Sequence, residues 1–129
     1  MATYQEYMTI PGLVATATLA SSQYYVVQFS STAGECKLGT SATSKVCGIV
    51  QNDPAAGEPA EVAYIGCAKA AAEASVSIGD ALTCSATGRV KTTTTDGNWV
   101  IGRALDASST AGNIIRVLLK GAADSYEFA

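Results

Sequence analysis

WVIGRALDASSTAGNIIRVLL, residues 99–119, is the stretch from which the fold of this chain can be inferred. It contains two apolar runs, Trp99–Leu105 and Ile114–Leu119, which are rich in the β-branched and aromatic residues that favour strands. The residues between them, DASSTAG, are of the types that favour reversal of the chain. The stretch therefore predicts a β-hairpin.

The same layout occurs twice upstream, in Tyr24–Leu38 and in Cys47–Gly66. Each has an apolar run, a turn containing Ala-Gly and a second extended run. Turn chemistry alone selects such residues, so a duplicated unit and independent hairpins both remain open. In the 99–119 hairpin, Arg103 and Arg116 interrupt the apolar runs, and we expect their charged heads opposite the core or at its rim.

Other segments add strands to these hairpins. Alternation predicts a strand at Leu13–Leu19, and turn residues bound two more at Ala81–Cys84 and Arg89–Thr95. Asp96-Gly97 predicts a hairpin between the last of these and the apolar run that follows. Gly66–Ser77 is interpreted as a strand running into an irregular stretch, with one helical turn as the alternative.

Short strands with turns every 8–12 residues are typical of sandwiches and barrels. We therefore predict a mainly β protein, a compact β-barrel or sandwich built from hairpins, with an extended N-terminal arm. A chain of 129 residues is long enough for one domain with its own core. The predicted division is an arm at residues 1–12, a β domain at 13–121 and a C-terminal tail at 122–129.

The two ends of the chain are unusually aromatic. Residues 1–11 and 124–129 together hold four of the nine aromatic residues, although chain ends are normally polar and loosely held. We expect both ends to dock, on the protein's own body, on a sister subunit or on a partner.

Composition and charge narrow the functional classes. The net charge is −3 and the basic residues are scattered singly, so there is no basic stripe for a nucleic-acid backbone. No apolar run approaches the length needed to span a bilayer, and the first residues lack the features of a secretion signal. We expect neither nucleic-acid nor membrane partners, and synthesis in a cytosol.

The chemistry-bearing residues do not indicate an enzyme. There is no histidine, no nucleophile motif and no glycine-rich phosphate loop, so we predict no catalytic residues and no cofactor. Glu58 and Glu61 flank Pro59 and are interpreted as a solvated loop rather than as a carboxylate pair. The cysteines form no CxxC pair, so we predict no metal site and expect buried thiols in a reducing cytosol; they are Cys36, Cys47, Cys67 and Cys84.

From Gly48 to Leu119 the chain resembles the decoration proteins of tailed bacteriophages, also called cement or head-stabilising proteins. The resemblance lies in the order and spacing of three segments, GIVQNDPAAGEPAEVAYIG, SIGDALTCSATGRVKT and VIGRALDASSTAGNIIRVLL. It implies a mostly β protein that self-associates as a homotrimer on the outer surface of the mature, expanded capsid. There it would bridge subunits of the major capsid protein and stabilise the head, after synthesis in the host cytoplasm.

The resemblance also implies that the terminal segments contact the capsid or a sister subunit. The residues to which this role is assigned are Tyr4, Tyr7, Met8, Ile10, Tyr126 and Phe128. The arm is short and rich in tyrosine, so its binding mode stays open; one possibility is that it adds a strand to a sheet edge on the capsid. The alternative function is a carbohydrate- or host-surface-binding β module in which Trp99 and exposed tyrosines act as stacking platforms, although core packing is expected for Trp99.

Overall fold

A computed structural model describes residues 6–19 and 21–125, with side chains up to residue 120. This part of the chain contains no helix and folds into ten strands. They are β1 (Glu6–Thr9), β2 (Val14–Ala15), β3 (Val26–Phe29), β4 (Glu35–Leu38), β5 (Val46–Val50), β6 (Val62–Ala71), β7 (Ala81–Cys84), β8 (Val90–Thr92), β9 (Trp99–Ala104) and β10 (Ile114–Ser125).

All ten strands belong to one mixed sheet. Its order is β2-β4-β3-β5-β6-β10-β9-β7-β8, and β1 pairs with β6 outside this path. The β2–β4 pair is parallel, whereas the other strand pairs are antiparallel. Over the described residues the two ends of this order do not pair, so the sheet is not closed into a barrel. The predicted mainly β fold is confirmed in its sandwich-like form.

The three predicted hairpins are confirmed. β3 pairs with β4, β5 pairs with β6, and β9 pairs with β10, each in antiparallel register. The predicted strand at Ala81–Cys84 is β7. β6 runs through Gly66 to Ala71 and gives way to an irregular stretch rather than a helical turn.

Two predicted strands form but are shorter than expected. In Leu13–Leu19 only Val14–Ala15 is a strand, because the segment also bonds to the loop between β5 and β6: Ala15 N–H donates to the Glu58 carbonyl and Leu19 N–H to the Pro54 carbonyl. The strand predicted at 89–95 is limited to β8.

The prediction of a hairpin at Asp96-Gly97 was wrong, because β8 and β9 do not pair with each other. The chain turns there, but β7 lies between β8 and β9 and pairs with both. All four β7 residues are buried, and this central position gives β7 a ladder on each side. The local turn signal therefore predicts where the chain reverses but not which strand becomes its neighbour.

The core consists of two clusters of buried apolar side chains on either side of the β3–β5 region. Val26 belongs to the larger cluster and its neighbour Val27 to the smaller one. In β5 every residue is buried, and Ile49 and Val50 are likewise divided between the clusters. Burial on both faces explains why β5 is a continuous apolar run rather than an alternating one.

β6 is the strand with the most partners. It pairs with β5 at Val62 and Ala63, with β1 from Ala63 to Cys67, and with β10 from Ile65 to Ala71. Close approach to β5 depends on Gly48, since a Cβ there would lie 2.2 Å from the Ala63 carbonyl oxygen. No side chain other than hydrogen fits that space.

The β9–β10 hairpin is closed by an ion pair. The Arg116 guanidinium donates to both carboxylate oxygens of Asp106, over 2.9 and 3.0 Å, and the Arg116 backbone N–H donates to the same carboxylate over 2.9 Å. Hydrogen bonding from Arg116 holds the pKa of Asp106 below its ordinary value. This fork geometry fixes the start of β10 against the turn. Arg103 is exposed and Arg116 half-buried.

Substitution of Gly48 by alanine tests the close approach of β5 and β6. We expect Gly48→Ala to lower the free energy of unfolding by about 1–3 kcal/mol, because the new methyl group meets backbone that cannot move without breaking the ladder. Urea denaturation monitored by circular dichroism measures the change. Gly57→Asn is the control, since Gly57 has a positive φ that Asn tolerates and open space around its Cβ. Equal stability of Gly48→Ala and the wild-type protein would contradict the argument.

Asp106→Asn tests the hairpin ion pair. At neutral pH we expect a loss of roughly 1–2 kcal/mol in unfolding free energy, because a charge-assisted hydrogen-bond pair is weakened. Since the folded pKa of Asp106 lies below its unfolded value of about 3.9, the stabilisation is present above that pH and is lost as the pH falls through the lowered pKa. The difference between wild type and variant should therefore shrink in acid. Asp53→Asn, at an exposed carboxylate outside the hairpin, is the control and should leave the unfolding free energy at neutral pH unchanged.

Candidate functional site

One face of the β1–β6–β10–β9 sheet carries most of the exposed apolar side chains within strands. Cross-strand partners point to the same side of a sheet, and here the register aligns two rows. We call this surface the outer face; its rows are Met8–Ile65–Lys120 and Glu6–Cys67–Leu118–Arg103. The alternate residues of β10, Ile115, Val117 and Leu119, point to the other side and are buried in the core.

Three large apolar side chains are exposed at the centre of the outer face. Met8 is 62% exposed, Ile65 40% and Leu118 51%. Met8 lies directly opposite Ile65, and Leu118 is the diagonal neighbour of Ile65 across the β6–β10 pair. Clustered exposed apolar side chains mark interaction surfaces, whereas isolated ones do not. Ile114 is also exposed on this face, but Arg116 and its cross-strand partner Lys69 separate it from Leu118.

The described part of the arm is attached to the protein's own sheet. Tyr7 is half-buried against the larger core cluster, and its hydroxyl donates to Glu61 Oε2 over 2.7 Å. Burial and this hydrogen bond raise the pKa of Tyr7 to about 12. Ile10 packs against the smaller cluster, and its N–H donates to the Val62 carbonyl. Tyr7 and Ile10 therefore anchor the arm, while Met8 between them faces solvent.

Gly66 is the residue that lets the arm lie so close to β6. A Cβ at Gly66 would be 2.5 Å from the Glu6 carbonyl oxygen, and its φ of +107° also favours glycine. An isolated glycine inside an apolar strand is a sequence signal for close approach of another backbone. Gly66 is therefore the residue in the sequence that could have predicted the pairing of the arm with β6. The other residues assigned to the interface, Tyr4, Tyr126 and Phe128, lie outside the described residues.

A groove of about 380 Å³ lies between β9 and β10 beside the central apolar residues. It lies where the register of the two strands shifts, between Leu119 and Asp124. Its lining combines buried residues with exposed ones; they are Val100, Gly102, Arg103, Leu118, Leu119 and Lys120. Sequence reasoning missed this groove, because a register shift within a strand pair has no clear local signal.

The described residues offer few features of a catalytic or metal site. Among them there is no group of three or more His, Cys, Asp or Glu side chains placed to hold a metal ion. No helix long and apolar enough to cross a membrane occurs among them either. All four cysteines are thiols rather than disulfides.

The aromatic side chains do not form an exposed platform for a sugar. Trp99 begins β9 and is half-buried, and its backbone N–H donates to the Ala42 carbonyl over 2.9 Å. The described tyrosines, Tyr7, Tyr24, Tyr25 and Tyr64, are half-buried as well. Two of them also lie against cations, Lys69 over Tyr24 and Arg89 over Tyr25. This arrangement does not favour the carbohydrate-binding alternative.

Fold and surface together define a small β protein built for contact with other protein. Comparison with family models identifies the family: residues 5–119 match the model of the phage cement proteins, and the chain belongs to that family. It is thus a structural protein of the phage capsid, with a role in capsid decoration and stabilisation. The family is a structural one, which agrees with the prediction that the protein is not an enzyme.

A solved structure shares the fold. The N base of the head fiber gp8.5 of bacteriophage phi29 superposes with a TM-score of 0.66 at 15% identity, covering 91% of this chain and 95% of that one. The search of curated proteins finds no match. The structural neighbour therefore supports the all-β architecture independently of the family model.

The cysteines allow a direct test of the outer face. Cys67 is half-exposed there, whereas Cys36, Cys47 and Cys84 are buried, and burial raises the pKa of Cys47 to about 12 and of Cys84 to about 11. We expect a maleimide at neutral pH to modify one thiol rapidly in the native protein and four in urea, as counted by mass spectrometry. Cys67→Ser should abolish the rapid reaction. Rapid modification of a second thiol in the native protein would contradict the described burial.

Proposed function

We propose that this protein binds the outer surface of the mature, expanded head and bridges neighbouring subunits of the major capsid protein. It is synthesised in the host cytoplasm and assembles as a homotrimer. The observation that carries this proposal is the exposed apolar cluster of Met8, Ile65 and Leu118 on the outer face. A cement protein must bury surface against the capsid, and these side chains offer apolar surface that gains free energy when it is covered.

The outer face has the composition of a protein-binding surface. Its apolar centre is flanked by Glu6, Arg103 and Lys120, so charge lies at the edge rather than in the middle. Interfaces typically have such an apolar core and a polar rim. The central residues would supply affinity, while the flanking charges would select the partner and its orientation.

The arm contributes to this interface through backbone as well as side chains. Over the described residues, β1 pairs only with β6, which leaves a second edge able to accept an extended capsid segment. Tyr7 and Ile10 hold β1 in place from below, and Met8 contacts the partner. Tyr4 precedes β1 and would extend the same contact. Tyr126 and Phe128 follow β10 and contribute from the other terminus.

Trimer formation would multiply modest individual contacts. The three outer faces of one trimer bind neighbouring capsid sites with an avidity gain of about 10²–10⁴ over a single face, provided that their spacing matches that of the sites. If the spacing of the three faces matches the expanded capsid lattice and not the unexpanded one, the trimer binds mature heads only. Bridging and selectivity for the mature state thus have the same geometric origin.

Met8→Glu tests the outer face as the capsid-binding surface. We expect the variant to fold normally, because Met8 is exposed in the unbound protein. It should bind expanded heads at least about tenfold more weakly, because a charge replaces apolar surface that the proposal buries against the capsid. Co-sedimentation with expanded heads, alongside unexpanded proheads, measures binding. The matched control is Phe29→Glu, at an apolar side chain that is 55% exposed on β3, away from the outer face.

The outcomes separate the parts of the proposal. Saturable pelleting with expanded heads only, weakened by Met8→Glu and not by Phe29→Glu, supports it. Equal pelleting of both variants and the wild type would remove the outer face from the mechanism. Protection of Cys67 from maleimide on bound heads is the independent check, because this thiol lies on the same face. Absence of pelleting with either particle would overturn the proposed attachment.

A further inference from the structure

Positive charge is concentrated on the outer face. Four of the eight Lys and Arg residues of the chain lie there; by strand register they are Lys69, Arg103, Arg116 and Lys120. The chain as a whole has a net charge of −3. A basic surface on an otherwise acidic protein indicates the sign of the surface that it meets, because partners carry complementary potentials.

Two of these four cations have partners of their own. The Arg116 guanidinium pairs with Asp106, and the Lys69 ammonium lies 5.8 Å from the centre of the Tyr24 ring. Both arrangements offset the repulsion between like charges that face each other across a strand pair. The fold itself therefore compensates the Lys69–Arg116 pair.

No described carboxylate compensates the other two cations, Arg103 and Lys120. Arg103 lies opposite Leu118, and Lys120 is two residues further along β10, so the two cations are diagonal neighbours with about 7–8 Å between their Cα atoms. Both side chains are exposed and line the β9–β10 groove. Glu6 is on β1, and β6 lies between that strand and β10. Two cations at this spacing repel each other unless an anion lies between them.

The lining of the groove specifies more than a charge. Arg103 donates to the Gly79 carbonyl over 2.9 Å, which holds the guanidinium beside the groove. A guanidinium has five N–H donors, so most of them stay available for a carboxylate. Buried Val100 and Leu119 supply apolar lining, and the exposed Leu118 continues it to the surface. A fixed guanidinium beside apolar lining suits a carboxylate on a peptide segment that also carries an apolar side chain.

We propose that the capsid segment bound by the outer face is acidic, and that one of its carboxylates lies between Arg103 and Lys120 while an apolar neighbour covers Leu118. This inference rests on the proposed attachment of the outer face to the major capsid protein and adds the chemistry of the partner. The apolar cluster around Met8 supplies affinity whatever the charge of the partner. The cation pair selects an acidic capsid surface and rejects a basic one.

Charge reversal of both cations tests the sign of the partner. The variant Arg103→Glu with Lys120→Glu is compared with Lys37→Glu with Lys45→Glu, which changes the net charge equally at exposed positions away from the outer face. Co-sedimentation with expanded heads at low and at high salt measures binding. Lys120→Glu alone is the second variant, because it leaves the hydrogen bond from Arg103 to Gly79 in place. Circular dichroism checks that each variant folds.

We expect the double reversal to weaken binding at low salt at least about tenfold, because two attractions become repulsions, and Lys120→Glu alone to weaken it several-fold. High salt should weaken the binding of the wild type and reduce these differences, since salt screens exposed charges. The control pair should bind as the wild type does at either salt concentration.

Carbodiimide coupling on bound heads identifies the partner group. The reagent joins a lysine amine to a carboxylate in contact with it, as an amide, and mass spectrometry locates the link. We expect a link from Lys120 to an Asp or Glu of the major capsid protein. Lys120→Arg is the matched control, because it keeps the charge but cannot form this amide. It should bind heads normally and give no link.

The outcomes separate this inference from the proposed function. If Met8→Glu weakens binding and neither charge reversal does, the outer face still binds the capsid, but the acidic partner is overturned. Equal weakening by the control pair would also overturn it, since net charge alone would then account for the effect. A link from Lys120 to a second copy of this chain would assign the groove to the trimer contact and overturn the capsid segment as its occupant. Failure of the wild type to pellet with either particle would overturn both proposals.

Discussion

Backbone hydrogen bonding along β6 is the constraint on which the rest of the structure depends. One strand of ten residues holds the arm, joins the β3–β5 half to the β9–β10 half, and presents Ile65 and Cys67 on the outer face. Such pairing requires neighbouring backbones to approach closely at several points. Gly48 on β5 and Gly66 within β6 make this possible, and a methyl group at either position would meet backbone atoms. The candidate binding surface and the packing of the core thus share one element.

Much of this architecture could be predicted from local sequence, because hairpins depend on adjacent runs and the turn between them. The β9–β10, β3–β4 and β5–β6 pairs follow from apolar runs around Ala-Gly turns, and the structure confirms them. Longer-range choices could not be predicted. The Asp96-Gly97 turn reverses the chain, but the position of β7 between β8 and β9 results from burial of β7 on both sides. The central position of β7 is a property of the assembled sheet, so the residues of the turn at 96 and 97 do not predict it.

The candidate site was predictable to a similar degree. Aromatic and apolar enrichment near the N-terminus indicated a docked arm, but composition could not separate anchoring residues from exposed ones. Pairing with β6 makes that separation, because residues alternate across a strand: Tyr7 faces the core and Met8 the solvent. The sequence does not distinguish Ile65 and Leu118 from the other apolar residues of β6 and β10. Only the register, which places Met8 opposite Ile65 and Leu118 diagonal to it, brings them together.

The antiparallel pairing of β1 with β6 also has a mechanical consequence. Hydrogen bonds in such a pair run perpendicular to the strands. A pull along the strand axis therefore loads all the β1–β6 bonds at once, in shear, whereas a pull across it opens them one after another. A head filled under pressure strains whatever is attached to it. If a capsid subunit pulls on the arm along the direction of β1, all the β1–β6 hydrogen bonds share the force. The force needed to separate the two strands then depends on the direction of the load as much as on the number of bonds.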